Sequence, residues 1–144
     1  MSNLAPKEHY FVDLYIGQSS SFKFKITNEI YKNFLKISSD YNPIHTEKSY
    51  AIKHGFDDKI MHGLLTSSFY SKFIGMNLPG KYSVLNEINI KFMNPVYLND
   101  ILLIKGTIIS KHENFKVITI NSKITNINNN LIVSKANIKV MLIS

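Results

Sequence analysis

Phe22, Phe24 and Ile26 alternate with Lys23 and Lys25, the period-two pattern of a half-buried strand. Thr27 then offers an N-cap to a helix carrying Ile30, Tyr31, Phe34, Leu35 and Ser38. Thr46 can cap a second, short helix with Tyr50 and Ala51 facing inward, and His54 to Lys59 is a polar loop around Gly55. From about Gly63 to Gly75 the chain is apolar on most helical faces, through Leu64, Leu65, Phe69, Tyr70, Phe73 and Ile74. Such a segment reads as a buried helix, ended near Pro79 and Gly80.

Beyond that point the period changes from helix to strand. Ile88, Ile90 and Phe92 alternate with polar residues until Asn94-Pro95 interrupts, which predicts a bulge or an edge position. Further strands are predicted over Ile101 to Ser110, Val117 to Thr125 and Leu131 to Leu142, with a turn at Asn128-Asn129-Asn130. One early strand, a buried helix and four long strands joined by short connections give an α+β fold, an antiparallel sheet wrapped around a central helix. The 144 residues fit one domain, 1–144, with no internal repeat and no low-complexity linker.

Composition narrows the classes of function. No stretch has the apolar length of a membrane span, and Met1 to Lys7 lacks the apolar region of a signal peptide. Met1 to Glu8 reads as a loose polar tail. Cysteine is absent, which excludes disulfides and thiolate catalysis and fits a cytoplasmic location. The net charge is +7, and every basic residue is lysine. That field favours polyanionic ligands such as nucleotide phosphates. The lysines are scattered along the chain, and arginine, the usual fork for phosphates and bases, is missing. No nucleic-acid or membrane partner is expected.

The candidate chemistry lies in Ser38-Ser39-Asp40-Tyr41-Asn42-Pro43-Ile44-His45. The residue before a proline is pushed out of the α region, so Asp40 and His45 flank a bend that can aim both at one small volume. A carboxylate and an imidazole sharing one water form an acid–base pair. Alone, Asp40 is an ordinary turn residue and His45 an ordinary helix-entry histidine. Together, around Asn42-Pro43, they read as one unit. Asn42 holds the loop through backbone hydrogen bonds and Pro43 sets the bend. Farther on, Ile60-Met61-His62-Gly63-Leu64-Leu65-Thr66 reads as a helix opening at glycine, where free N–H groups face developing negative charge. His62 is expected to position that turn.

Asp40-x-Asn42-Pro43-x-His45 with a trailing Ala51, followed by His62-Gly63, resembles the MaoC-like family from about Asp13 onward. The best-known members of that family are (R)-specific enoyl-CoA hydratases. Many members have glycine before the aspartate, where this chain has Ser39. The resemblance implies the hot dog fold and a homodimer. It also implies reversible hydration of a trans-2-enoyl thioester, with the Gly63 N–H holding the thioester oxygen. Coenzyme A or an acyl-carrier protein would enter as part of the substrate, and no cofactor is implied. The alternatives are a hot dog acyl-CoA thioesterase, or a MaoC-like dehydratase for a specialised substrate in a biosynthetic cluster. Ser68 and Tyr70 are weaker candidates for an acyl pocket, with core packing as the competing role. Lys59, Lys81 and Lys91 are candidates for the coenzyme A phosphates, with a solvated face as the competing role. His9, His54 and His112 read as surface residues. No pair of histidines has metal-ligand spacing, so no metal is expected.

Overall fold

The computed structural model describes residues 5–144. Its strands are β1 (Ser19–Lys25), β2 (Ser83–Phe92), β3 (Ile101–His112), β4 (Val117–Asn126) and β5 (Ile132–Leu142). They form one five-stranded sheet in the order β1-β3-β4-β5-β2, antiparallel at every pairing. The helices are α1 (Asn28–Ser38), α2 (Pro43–Thr46), α3 (Lys48–Lys53) and α4 (Gly63–Lys72). A five-residue π-helical stretch, Phe73–Asn77, continues α4. This is the hot dog arrangement, with α4 and its extension packed against the sheet.

Period-two alternation fixes which face of the sheet meets the helix. Leu102, Ile104 and Ile108 of β3, Ile118, Ile120 and Ile124 of β4, and Ile138 and Val140 of β5 are fully buried. Burying a side chain of that size stabilises by roughly 1.5–3 kcal/mol each. Gly106 interrupts the apolar series on β3 because the helix comes too close there for a side chain. A Cβ at that position would lie 2.7 Å from the Phe73 ring.

Some elements differ from the sequence-based expectation. Helix α4 is buried on one flank only: Leu65, Thr66, Ser67 and Tyr70 are buried, whereas Leu64 is 70 % exposed. Strand β2 begins at Ser83, ahead of the alternation at Ile88, because a register shift between Leu85 and Glu87 resets the period. Asn94-Pro95 falls just past the end of β2, an edge strand of the sheet, so the expected edge position is met. The N–H groups of Met93 and Asn94 both reach the Val133 carbonyl, at 2.8 and 3.3 Å. Thr46 caps nothing. It ends α2, and its hydroxyl donates back to the Asn42 carbonyl at 3.3 Å. Tyr50 points outward at 38 % exposure, while Ala51 is buried as expected.

The expected tail of residues 1–8 lies partly outside the described residues, and its described end is fastened. The Lys7 N–H donates to the Met76 carbonyl at 3.0 Å, and the Lys7 carbonyl accepts from the Lys81 N–H at 2.9 Å.

Candidate active site

The loop between α1 and α2 is shaped by its own short polar side chains. Thr27 caps the start of α1, accepting from the Ile30 N–H at 3.3 Å. At the other end Ser39 takes φ 53° and ψ 23°, the left-handed conformation that costs a Cβ but not a glycine. That explains why glycine suits the position before the aspartate. The Asn42 N–H donates to Asp40 Oδ1 at 3.2 Å, and the Ile44 N–H donates to Asn42 Oδ1 at 3.1 Å. Asn42 is thus the N-cap of α2, with ψ 130° and Pro43 at the first helical turn. A proline there gives up an N–H that the helix would leave unpaired in any case.

A second segment, Ile60 to Gly63, closes over this loop. The Ile60 N–H donates to the Ile44 carbonyl at 3.1 Å, and the Met61 N–H donates to the Val96 carbonyl at 2.7 Å. His45 Nδ1 lies 2.9 Å from the Ile60 carbonyl oxygen. A carbonyl only accepts, so Nδ1 carries the proton and Nε2 presents its lone pair. The Tyr31 hydroxyl donates to the His45 carbonyl at 2.7 Å, holding the backbone from below.

His62 immediately precedes α4 and is 2 % exposed. Its Nε2 donates to the Asp40 carbonyl at 2.9 Å and lies 3.8 Å from Asp40 Oδ2. Its ring centroid is 3.9 Å from that of His45. Its Nδ1 is buried without a hydrogen-bond partner. Burial pushes the His62 imidazole below its ordinary value, and the nearby His45 adds to that, against the raising influence of its bond to the Asp40 carbonyl and of the Asp40 charge. His62 is therefore neutral at neutral pH, and it ties the Asp40 loop to the start of α4.

Asp40, His45, His62 and Gly63 all line one cavity of about 710 Å³. Its apolar wall comes from Phe34, Phe56 and Met61 on one side and from Phe92, Met93 and Val133 on the other. Gly63 is the first residue of α4, so its N–H has no acceptor within the helix. A Cβ on Gly63 would lie 2.9 Å from the Phe92 ring. Close packing therefore accounts for a glycine here, and its N–H has no hydrogen-bond partner among the described residues. One potential ligand atom from each of Asp40, His45 and His62 also lies within 4.8 Å of the others. The residues that sequence spacing separates are thus close in space. His45 Nδ1 and His62 Nε2 face carbonyl oxygens, which leaves His45 Nε2 and His62 Nδ1 as the ring nitrogens with free lone pairs.

Residues 15–130 match the family model described as MaoC like domain. The chain belongs to the MaoC-like family. It is 34 % identical over 96 residues to a 3-hydroxybutyryl-CoA dehydratase of Methylorubrum extorquens, covering 67 % of this chain and 61 % of the relative. It is 36 % identical over 92 residues to an (R)-specific enoyl-CoA hydratase of Rhodospirillum rubrum, covering 64 % of each. The matched region thus spans somewhat under two thirds of either relative. A solved structure of the (R)-hydratase from A. caviae superimposes with a TM-score of 0.84 at 25 % identity, covering 90 % of this chain and 97 % of that one.

In this MaoC-like domain the weaker candidates fall away from the cavity. Tyr70 is fully buried, its hydroxyl 2.9 Å from Ser134 Oγ, and burial pushes its phenol up to about 12. Ser68 is exposed and donates to the Leu65 carbonyl of its own helix at 2.6 Å. Neither lines the cavity: Ser68 stands on the exposed flank of α4, and Tyr70, on the same face as Gly63, lies two turns farther along in the core. Lys59 Nζ sits 4.6 Å above the Tyr31 ring. Lys81 is paired with Glu8 at 2.7 Å. Lys91 stands on the opposite face of the sheet from Ile90 and Phe92. Of the histidines read as surface residues, His54 and His112 are exposed, while His9 is half-buried with Nδ1 2.8 Å from the Pro79 carbonyl.

The strap Phe92 to Val96, which forms the far cavity wall, was not visible as a site in the sequence. The signal available was Asn94-Pro95 directly after a strand. It marks where the chain leaves the sheet, and Asn94, Pro95 and Val96 beyond it line the cavity.

Proposed function

We propose that this chain catalyses reversible addition of water to a trans-2-enoyl thioester, giving the (R)-3-hydroxyacyl thioester. The observation that supports it most is the convergence of Asp40, the free Nε2 of His45 and the unpaired Gly63 N–H on one apolar-walled cavity. The (R) outcome and the thioester rest on the names of the relatives.

The reaction needs negative charge stabilised at the thioester oxygen and a proton moved from water to C2. As the water oxygen bonds to C3, the C2–C3 π pair shifts toward C1 and charge grows on the carbonyl oxygen. The Gly63 N–H, at the positive end of the α4 dipole, holds that charge. Asp40 and His45 hold the attacking water between them, one accepting its proton and the other guiding a proton to C2. His45 Nε2 is the acceptor in the tautomer that the Ile60 carbonyl selects. The two roles can still be exchanged between the carboxylate and the imidazole. His62 positions the Asp40 loop and touches no substrate atom. The reading needs no cofactor, because the coenzyme A or acyl-carrier group arrives as part of the substrate.

The same reading treats 1–144 as one functional domain working in the cytoplasm as a homodimer. Among the described residues no helix is long and apolar enough to cross a membrane. Strands β1 and β2 are the two edges of the sheet. Strand β1 is short and carries Lys23 and Lys25, which protect an edge from pairing. Strand β2 leaves Val84 39 % and Leu85 45 % exposed, so β2 is the edge offered to a second copy. Light scattering at micromolar concentration should give twice the chain mass, and a monomer would refute the dimer.

Crotonyl-CoA mixed with the protein should lose its enoyl absorbance without releasing thiol to a thiol reagent. Release of free coenzyme A at the rate of absorbance loss would make the protein a thioesterase and overturn the hydratase reading.

A further inference from the structure

The lysines that look scattered in sequence are gathered by the register of the sheet. Lys105 of β3 lies directly opposite Lys123 of β4, Lys123 opposite Lys135 of β5, and Lys135 opposite Lys91 of β2. Directly opposed residues share a face, so these four form one file across four neighbouring strands, and all are exposed. The face is the outer one. The next residues along each strand, Ile104, Ile124, Ala136 and Ile90, point inward to the helix. A parallel file of Thr107, Asn121, Asn137 and Asn89 runs beside the lysines, with Asn137 donating to Asn121 Oδ1 at 2.9 Å. The two files line a shallow trough of about 590 Å³.

Like charges directly opposite one another destabilise a sheet, and among the described residues none of these four lysines is in an ion pair. Glu87, on the same face, is paired with Lys139 at 3.0 Å. We propose that this trough is a docking surface for an acidic α-helix of a partner protein, its carboxylates lying along the Lys91–Lys135–Lys123–Lys105 file. Strand spacing sets the lysines about 4.8 Å apart, so the file is about 14 Å long. Residues three and four apart on a helix have Cβ atoms about 5–6 Å apart, so a stripe of carboxylates on one helix face matches the file in step. About ten helical residues cover its length, at about 1.5 Å each. Nucleic acid fits the surface less well, because the trough has no arginine and no aromatic ring on which a base could stack. An anionic membrane fits less well too, since no trough residue is a large apolar anchor. The surface lies on the opposite side of the sheet from the hydration site and does not depend on that reading.

The test uses two labelled helical peptides of identical composition. One carries its glutamates in a single stripe and the other has them spread around the helix. The striped peptide should bind the full chain at least about tenfold more tightly by fluorescence anisotropy. Lys123→Gln and Lys135→Gln should each weaken that binding several-fold. The double change Lys123→Glu with Lys135→Glu should abolish it while leaving the melting temperature unchanged or raised, because two of the three opposed pairs in the file become pairs of opposite charge. Equal affinity for the two peptides would reduce the surface to diffuse charge and overturn the proposal. So would tighter binding to an oligothymidylate or to phosphatidylserine vesicles than to the striped peptide, or binding that survives the double change.

Discussion

The two ends of α4 meet opposite demands. At its C-terminal end Tyr70, Phe73 and Ile74 are buried against the sheet, and the hydroxyl of Tyr70 is satisfied by Ser134. Among the described residues no buried polar side-chain atom at that end lacks a partner. At its N-terminal end Leu64 is exposed and Gly63 offers an unpaired N–H. Beside it His62 keeps a buried nitrogen without a partner, and Ser39 holds a conformation that suits glycine. One helix thus carries a packed end that fixes the fold and an unsatisfied end that faces the cavity. A buried polar atom without a partner costs stability, and such costs cluster where a site needs its groups free.

If that division is correct, changes at the two ends should separate activity from stability. The largest effect is expected at the open end. Asp40→Asn and His45→Gln should each lower turnover by about 10²–10⁴-fold, with thermal melting close to that of the parent protein, since Asp40 is exposed and His45 only half-buried. Steady-state kinetics beside a melting curve separates the two outcomes. At the packed end, Gly106→Val places a side chain against the Phe73 ring. Overpacking of that kind should cost ~3 kcal/mol in a urea titration, with turnover per folded molecule unchanged. A fall in that turnover in step with stability would show the two ends to be coupled.

A smaller effect is expected from His62. Its folded-state value is depressed from the ordinary 6.5, so below that pH the unfolded chain binds a proton that the folded chain refuses. The stability His62 contributes is present in full above its unfolded value. It is lost progressively as the pH falls through 6.5 and on through the folded value. His62→Gln should remove this part of the acid limb of a stability-against-pH curve, and an unaltered limb would place the titration elsewhere. The smallest effect is expected at Ser39. Ser39→Gly relieves the left-handed strain and should raise stability by up to ~1 kcal/mol, read as a higher denaturant midpoint. A loss of stability there would mean that its side chain contributes more than its backbone costs.

The packed end was the more legible of the two in the sequence. Alternation at Ile118, Ile120 and Ile124 and at Ile138, Val140 and Leu142 fixes a face directly, because a sheet with one buried side repeats every two residues. Thr27 announced α1 for an equally local reason. Asp40 and His45 were legible because their spacing lies within a single proline-governed turn. The rest depends on contacts between distant segments. His62 meets the Asp40 carbonyl only once the fold brings the two segments together, and Phe92 reaches Gly63 across the sheet–helix gap. The file of lysines exists only through strand register, which no window along the chain reports. The exposure of Leu64 was hidden for a related reason: an apolar residue at a cavity mouth looks the same in sequence as one in the core.

The central claim is that Asp40 and His45 act as one unit on one water, and a double-mutant cycle on crotonyl-CoA hydration tests it most directly. Asp40→Asn, His45→Gln and the double variant are assayed beside the parent protein, with circular dichroism confirming that each is folded. Groups that act as a unit are strongly non-additive, so the double variant should be little slower than the slower single variant. Losses that multiply in full, or a single variant that keeps the parent rate, would contradict the account.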